Sequence, residues 1–372
     1  MIEKIHIQNF KSIYDLELEV GRVNLFIGEN GSGKSNLLEA LVFVSASESN
    51  MLANEFLVSR GLRVPEPELM RSAFEEEDIT KDIIINIDYM NQEQISETYS
   101  FSHTNEIYSE WIINSNLYNT ALDYFGKVSY VQSEEEYNEF NELAYYFNEL
   151  KKKINFHNFI IYSPENTSLR VFQKEGQIQP LGINGEGLLK LLQVINNYED
   201  KSYINTIVES LQLFNWFEDI TIPTDSLENI VMIKDKYLYR EFTQQSANEG
   251  FLFILFYITL IVAKETPKAF AIDNIDASLN PKFCTKLMTI LTKLAKKYDK
   301  EIFLTTHNPA ILDGIDLNDE EQKLFVVSRN KKGHTRMKEI AAKDKPKSSD
   351  NEPLHLSEAF MRGYLGGLPK GF

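Results

Sequence analysis

Hydrophobic and polar positions alternate from the first residues of the chain. IEKIHIQNF and DLELEV keep a period of two, predicting two half-buried strands, and VNLFI is an unbroken apolar run of the kind buried on both faces of a sheet. The period then changes. Leu37, Leu38, Leu41 and Val42 recur at helical spacing, which predicts a helix from Lys34 to about Ala46.

From Ser47 to about His157 the strand-like runs IIINIDY, ISETYSF and IYSEWII alternate with polar turns, and an acidic, helix-prone segment covers Ser133–Lys153. Residues 47–157 read as an insertion of antiparallel strands and helices, separate from the core. They lack sustained heptads and are too short for a long coiled-coil arm. The Glu run at 134–136 reads as a solvated helix face.

Core-like patterning resumes at NFIIYSP (158–164). Helices are expected at Glu186–Asn197 and about Tyr203–Phe214, followed by edge strands around 220–242. An apolar helix at 250–263 leads to a strand at 268–273, a helix at 281–298, and strands at 301–307 and 323–329. Strands alternating with helices argue for an α/β fold with a mostly parallel sheet flanked by helices. The expected organisation is a core of 1–46 and 158–342, the 47–157 insertion, and a 343–372 segment of flexible link and tail. The tail is expected to dock against a neighbouring subunit or a partner.

Composition narrows the function. The hydrophobic content of 43% is ample for a packed core. The single cysteine, Cys284, excludes an internal disulfide framework and a Cys-based zinc cluster, and suits a reducing cytoplasm. The apolar stretch Phe251–Ala263 is well short of the roughly 20 residues that span a bilayer, so a buried helix and no membrane contact are expected. The formal charge of -17 disfavours unaided binding to nucleic acid, although it permits a local basic groove.

Gly28-Glu29-Asn30-Gly31-Ser32-Gly33-Lys34-Ser35 fits G-x-x-x-x-G-K-[ST], between an apolar strand and a helix, as a phosphate-binding loop requires. Its glycines let successive backbone N–H groups face phosphates, and the helix that follows, through Asn36, points its positive end the same way. Lys34 is expected at the β/γ-phosphates of ATP and Ser35 on Mg²⁺. Such a loop needs a carboxylate at the end of a neighbouring buried strand. FAID supplies Asp273; otherwise this is a strand entering a turn.

The run I-x-I-x-N-F-K-S, then NLFIGENGSGKSNLLEAL, resembles the SMC/RecF branch of ABC-type P-loop ATPases, including the small AAA-like ATPases of bacterial anti-phage systems such as Septu. AIDNIDASLNP looks like that branch's Walker B and D-loop, and LTTHNPAIL like its switch-histidine strand. The match covers 1–45 and about 158–330, and it implies a head with a mostly parallel core sheet and an antiparallel β subsheet.

The resemblance further implies a homodimer or higher homo-oligomer that sandwiches ATP between one P-loop and the partner's signature turn. That turn would be Gln245–Gly250, where Ser246 or Asn248 takes the family serine's place and Glu249 and Gly250 open the helix; the plain alternative is a capped core helix. Where the family has Glu after the Walker B Asp, this chain has Asn274, which can orient a water but cannot take its proton. Asp276 is a candidate substitute, and His307 is the candidate switch histidine, or else a simple turn residue. Lys11 is placed near the nucleotide or DNA, or at a solvated strand end, and Pro164-Glu165-Asn166 stands where a Q-loop analogue re-enters the core, or is an ordinary loop.

The functional expectation is an ATP-binding, slowly hydrolysing head that gates or scaffolds a separate nuclease or effector in antiviral defence. The alternatives are a RecF-like DNA-binding ATPase with DNA-stimulated turnover, a transporter subunit and a non-catalytic scaffold. The missing Ser-x-Gly-Gly signature and the antiparallel insertion argue against the transporter.

Overall fold

The computed structural model describes residues 1–90, 95–116, 156, 158–171, 180–223, 230–346 and 354–368. The strands in chain order are β1 (Ile2–Phe10), β2 (Ile13–Glu19), β3 (Val23–Gly28), β4 (Ile83–Tyr89), β5 (Ile95–Ser102), β6 (Ile112–Ser115) and β7 (Ile161–Tyr162). They continue as β8 (Phe217–Thr221), β9 (Met232–Asp235), β10 (Phe242–Thr243), β11 (Ala269–Ile272), β12 (Glu301–Thr306), β13 (Gln322–Arg329) and β14 (Thr335–Glu339). The helices are α1 (Lys34–Glu48), α2 (Asn54–Ser59), α3 (Pro67–Met70), α4 (Asn166–Arg170), α5 (Leu188–Asn196), α6 (Ser202–Leu211), α7 (Glu249–Val262), α8 (Pro281–Lys297) and α9 (Leu356–Met361).

The central sheet runs β14-β13-β3-β12-β11-β7, parallel throughout except at the β13–β14 edge. Its strands show why VNLFI reads as one apolar run. Leu25 and Ile27 enter a core shared with α5, α6, α7 and α8, whereas Phe26 enters a second core with α1 and the antiparallel strands. Every residue of α7 from Phe251 to Val262 is buried, so its all-round hydrophobicity belongs to an interior helix. Among the described residues, no helix is long and apolar enough to cross a membrane.

The insertion does not stand apart. β4 pairs with β1 over Ile2–Gln8, giving one antiparallel sheet of order β2-β1-β4-β5-β6 that ties residues 83–115 to the N-terminus. Of the strand expected at 107–113 only the end is formed, as β6, because Ile107 and Tyr108 lie in an exposed turn. The edge strands expected near 220–242 form their own sheet, β10-β9-β8. The pattern did not point to β14; TRMKE is an edge strand whose one fully buried residue is Thr335. The acidic segment 133–153 and residues 347–353 lie outside the described residues.

The tail docks in cis, contrary to the expectation of a neighbouring subunit. Leu354, Leu356, Ala359, Phe360 and Leu365 are buried in the chain's own core, and Asp313 accepts from the Ser357 backbone N at 3.0 Å and its Oγ at 2.5 Å. The apolar spacing of HLSEAFM is thus that of a self-docking helix.

Candidate nucleotide-binding site

The P-loop connects β3 to α1 at the C-terminal edge of the parallel sheet. Two of its glycines are required by close approach. A Cβ on Gly28 would lie 2.2 Å from the Val327 carbonyl oxygen, and one on Gly33, at φ +104°, would lie 2.1 Å from Thr335 Oγ1. β13 and β14 therefore form the back wall of the loop. Thr335 Oγ1 donates to the Ser32 carbonyl at 3.0 Å and lies 2.7 Å from Ser12 Oγ, to which Asn36 Nδ2 donates at 2.6 Å.

Lys34 is 5% exposed, and its ammonium donates to the carbonyls of Gly28 and Glu29 at 2.9 and 3.0 Å. Burial brings it down to about 8, opposed by the charges of Asp273, Asp276 and Glu29. The charge is thus held at the loop within reach of three carboxylates.

Parallel pairing of β11 with β12 and of β12 with β3 brings Asp273 and His307 to the P-loop. Ser35 Oγ donates to Asp273 Oδ2 at 3.1 Å. A hydroxyl and a carboxylate meeting at the P-loop are the hard oxygen donors that suit Mg²⁺. The TTH sequence ending β12 supplies two supports. Thr305 Oγ1 donates to Asp273 Oδ1 and accepts from the Asn274 backbone N at 2.9 Å, while Thr306 Oγ1 donates to Asp276 Oδ1 at 2.6 Å.

Asn274 is exposed in the left-handed region at φ +55°, which asparagine tolerates better than most residues. Asp276 Oδ1 also accepts from the His307 backbone N at 3.3 Å, so this carboxylate braces the end of β12. His307 Nδ1 lies 3.5 Å from Lys34 Nζ. Burial, then the Lys34 charge, lower its imidazole below the usual range, so it is neutral at pH 7.

The signature candidates lie on the next surface. Asn248 caps α7, accepting from Phe251 N at 2.8 Å, so its side-chain oxygen serves the helix; Ser246 ends an exposed turn. Glu249 accepts a hydrogen bond from Ser278 Oγ, and a Cβ on Gly250 would lie 3.2 Å from the Ser278 carbonyl. The turn is thus packed on the Asp276–Asn280 loop of its own chain. Arg170 joins it to the Pro164–Asn166 re-entry: its Nε donates to Asn166 Oδ1 at 2.8 Å and its Nη1 to the Gln245 carbonyl at 2.6 Å. Lys11 is not a solvated strand end. Its ammonium is paired with the buried Glu39 of α1 and donates to the Arg63 carbonyl at 2.7 Å.

Ser12, Thr335, Thr305 and Arg170 escaped the sequence reading. Only Thr305 carried a signal, as the residue two before His307 in a buried strand. A cleft of about 600 Å³ opens beside the loop, lined by Lys11, Ser12, Asn36, Arg63, Arg71 and Arg329 among others.

The fold resembles that of solved SMC heads. One bound to the C-winged helix domain of ScpA superposes with a TM-score of 0.60 at 14% identity, over 92% of this chain and 98% of that one. An Smc head domain with an extended coiled coil from Pyrococcus furiosus gives 0.54 at 12%, over 92% and 96%. Similarity in sequence is confined to short segments. Uncharacterized protein MJECL10 of Methanocaldococcus jannaschii is 46% identical over 67 residues, 16% of this chain and 31% of that protein. The DNA replication and repair protein RecF of Listeria welshimeri is 42% identical over 55 residues, 14% of this chain and 15% of RecF. The chain thus matches less than a third of the length of these relatives. A family model described as "AAA domain, putative AbiEii toxin, Type IV TA system" matches residues 23–313, well over half of the chain. This chain, whose α/β fold resembles that of SMC heads, belongs to that AAA-domain family.

Proposed function

We propose that this chain binds ATP with Mg²⁺ at Gly28–Ser35, closes on a second copy of itself, hydrolyses ATP slowly and thereby gates a separate nuclease or effector in antiviral defence within the cytoplasm. The observation that carries the reading is the meeting of Ser35 with Asp273, followed by an uncharged Asn274 in place of a general base. Ser35 and Asp273 would hold Mg²⁺, which neutralises phosphate charge when bound. Lys34 would hold the β/γ-phosphates, and neutral His307 would hydrogen-bond the terminal one. The basic cleft beside Ser12 and Asn36 is where the nucleoside would extend. Asp276, whose Oδ1 accepts from Thr306 Oγ1 and the His307 backbone N, braces the end of β12 and is the remaining candidate for accepting the water's proton.

ATP turnover and solution mass, measured together with and without ATP, test this reading. Lys34→Ala serves as the blank and Asn274→Glu as the comparison. Little turnover by the native chain, ATP-dependent or pre-formed assembly and faster turnover in Asn274→Glu are expected. Brisk native turnover abolished by Lys34→Ala would reject slow hydrolysis. The short identity with RecF supports a second reading, a DNA-stimulated ATPase, for which added DNA should accelerate turnover.

A further inference from the structure

We propose that the β13–β14 hairpin is a binding site for the phosphate backbone of a nucleic acid. Five of the ten residues from Arg329 to Lys338 are Lys or Arg, and none is acidic, in a chain whose formal charge is -17. Arg329, Lys331, Lys332, Arg336 and Lys338 are all exposed, and among the described residues none of them forms an ion pair. Lys323, just before the cluster, is paired with Glu339 just after it.

Charged residues on an edge strand guard against sheet-to-sheet association, and Arg336 and Lys338 of β14 serve that purpose. It does not account for Lys331 and Lys332, which lie in the turn beyond the ladder. Glu75 and Asp78 on the facing turn act on His334, but Asp78 is already bound to Lys81 at 2.8 Å. Exposed cations without ion-pair partners on an edge hairpin are suited to displacing counterions from phosphates. An acidic protein surface would match the charge too; the closely spaced, flexible Lys and Arg side chains favour a phosphate chain, whose charges are evenly spaced.

The hairpin is also joined to the P-loop. Thr335, in the middle of the cationic run, hydrogen-bonds the Ser32 carbonyl and packs on Gly33. A polyanion on Lys331, Lys332 and Arg336 would therefore bear on the loop through one residue. That coupling rests on the nucleotide reading above; the binding itself does not.

The test uses the full chain without nucleotide. Fluorescence anisotropy with labelled single-stranded DNA, single-stranded RNA and duplex DNA is followed over a salt series. Lys331→Ala/Lys332→Ala/Arg336→Ala should weaken binding at low salt at least ~10-fold and reduce the slope of log K against log salt by about 2. Lys331→Arg/Lys332→Arg should restore native behaviour, which separates charge from folding. Binding of a fluorescent ATP analogue, measured separately, should not change in either variant. Failure of all three probes to bind at low salt would overturn the proposal, as would an unchanged slope in the triple variant. Selective binding of an acidic protein or anionic vesicles through these residues would also overturn it, and loss of ATP binding alone would leave it standing.

Discussion

The Ser35 hydroxyl lies 3.1 Å from Asp273 Oδ2, although the two residues are 238 positions apart in sequence. The second carboxylate oxygen is held by Thr305, whose hydroxyl also accepts from the Asn274 backbone N. Thr305 is fully buried, so Thr305→Val keeps the shape and removes both bonds. Nucleotide affinity in the presence of Mg²⁺ should fall by about 10-fold, the scale of one lost hydrogen bond to a charged group, and affinity in EDTA should not change. Titration of a fluorescent ATP analogue in both buffers decides; equal losses would mean that Thr305 does not position a metal ligand.

Lys34 gives a pH prediction with a definite sign. Its ammonium sits at about 8, below the ordinary 10.5, because it is buried. Phosphate favours the charged form, so binding above that pH requires proton uptake, and affinity should decline by up to about 10-fold per pH unit. For folding, the unfolded chain binds more protons between about 8 and 10.5, so this group's contribution to stability increases with pH across that window. Calorimetric titration near pH 8.5 in two buffers of different ionisation enthalpy should reveal proton uptake that Lys34→Met lacks. Equal apparent enthalpies in the native chain would reject the assignment.

What could be read before the structure follows from which interactions are local. The P-loop, β3 and α1 were legible because a glycine-lysine spacing and a switch from period two to helical spacing occur within thirty residues of each other. Asp273 was reachable only once the P-loop was read, and Asn274 and His307 only through resemblance, since an apolar run ending in Asp or His is common in any sheet. Thr335 was not legible at all. Its role depends on β14 turning back antiparallel to β13, and the polar alternation TRMKE carries little burial to signal a strand. The pairing of Lys11 was illegible for a related reason: its partner Glu39 lies on α1, where an acidic residue among apolar ones gives no hint of an inward-facing pair.

The contact between Gly33 and Thr335 can be measured as a coupling. Gly33→Ala places a methyl group 2.1 Å from Thr335 Oγ1 and strains a residue at φ +104°. It should cost about 2 kcal/mol or more and weaken nucleotide binding severely. Thr335→Ala removes the closest clash but leaves Ser12 Oγ at 2.8 Å and the backbone strain, so the double variant should recover about 1 kcal/mol relative to the sum of the single changes. Denaturant melts of all four proteins give this difference. Strict additivity would show that β14 does not buttress the loop.

The tail distinguishes a self-docking segment from an assembly arm. Phe360 is 5% exposed and packs with Leu356 and Leu365 in the core that also contains Ile311 and Leu312, four and five residues after His307. Phe360→Ala should cost about 3 kcal/mol, as for other buried aromatics, and lower the melting temperature by several degrees. Asp313→Ala, which leaves the Ser357 backbone N and hydroxyl without their acceptor, should cost about 1 kcal/mol. Because these contacts are within one chain, neither substitution should change the mass measured by light scattering under conditions where the protein remains folded. A variant that stays folded but falls to a smaller assembly would show that the same residues also hold a neighbouring copy, and the tail's role would then lie between subunits.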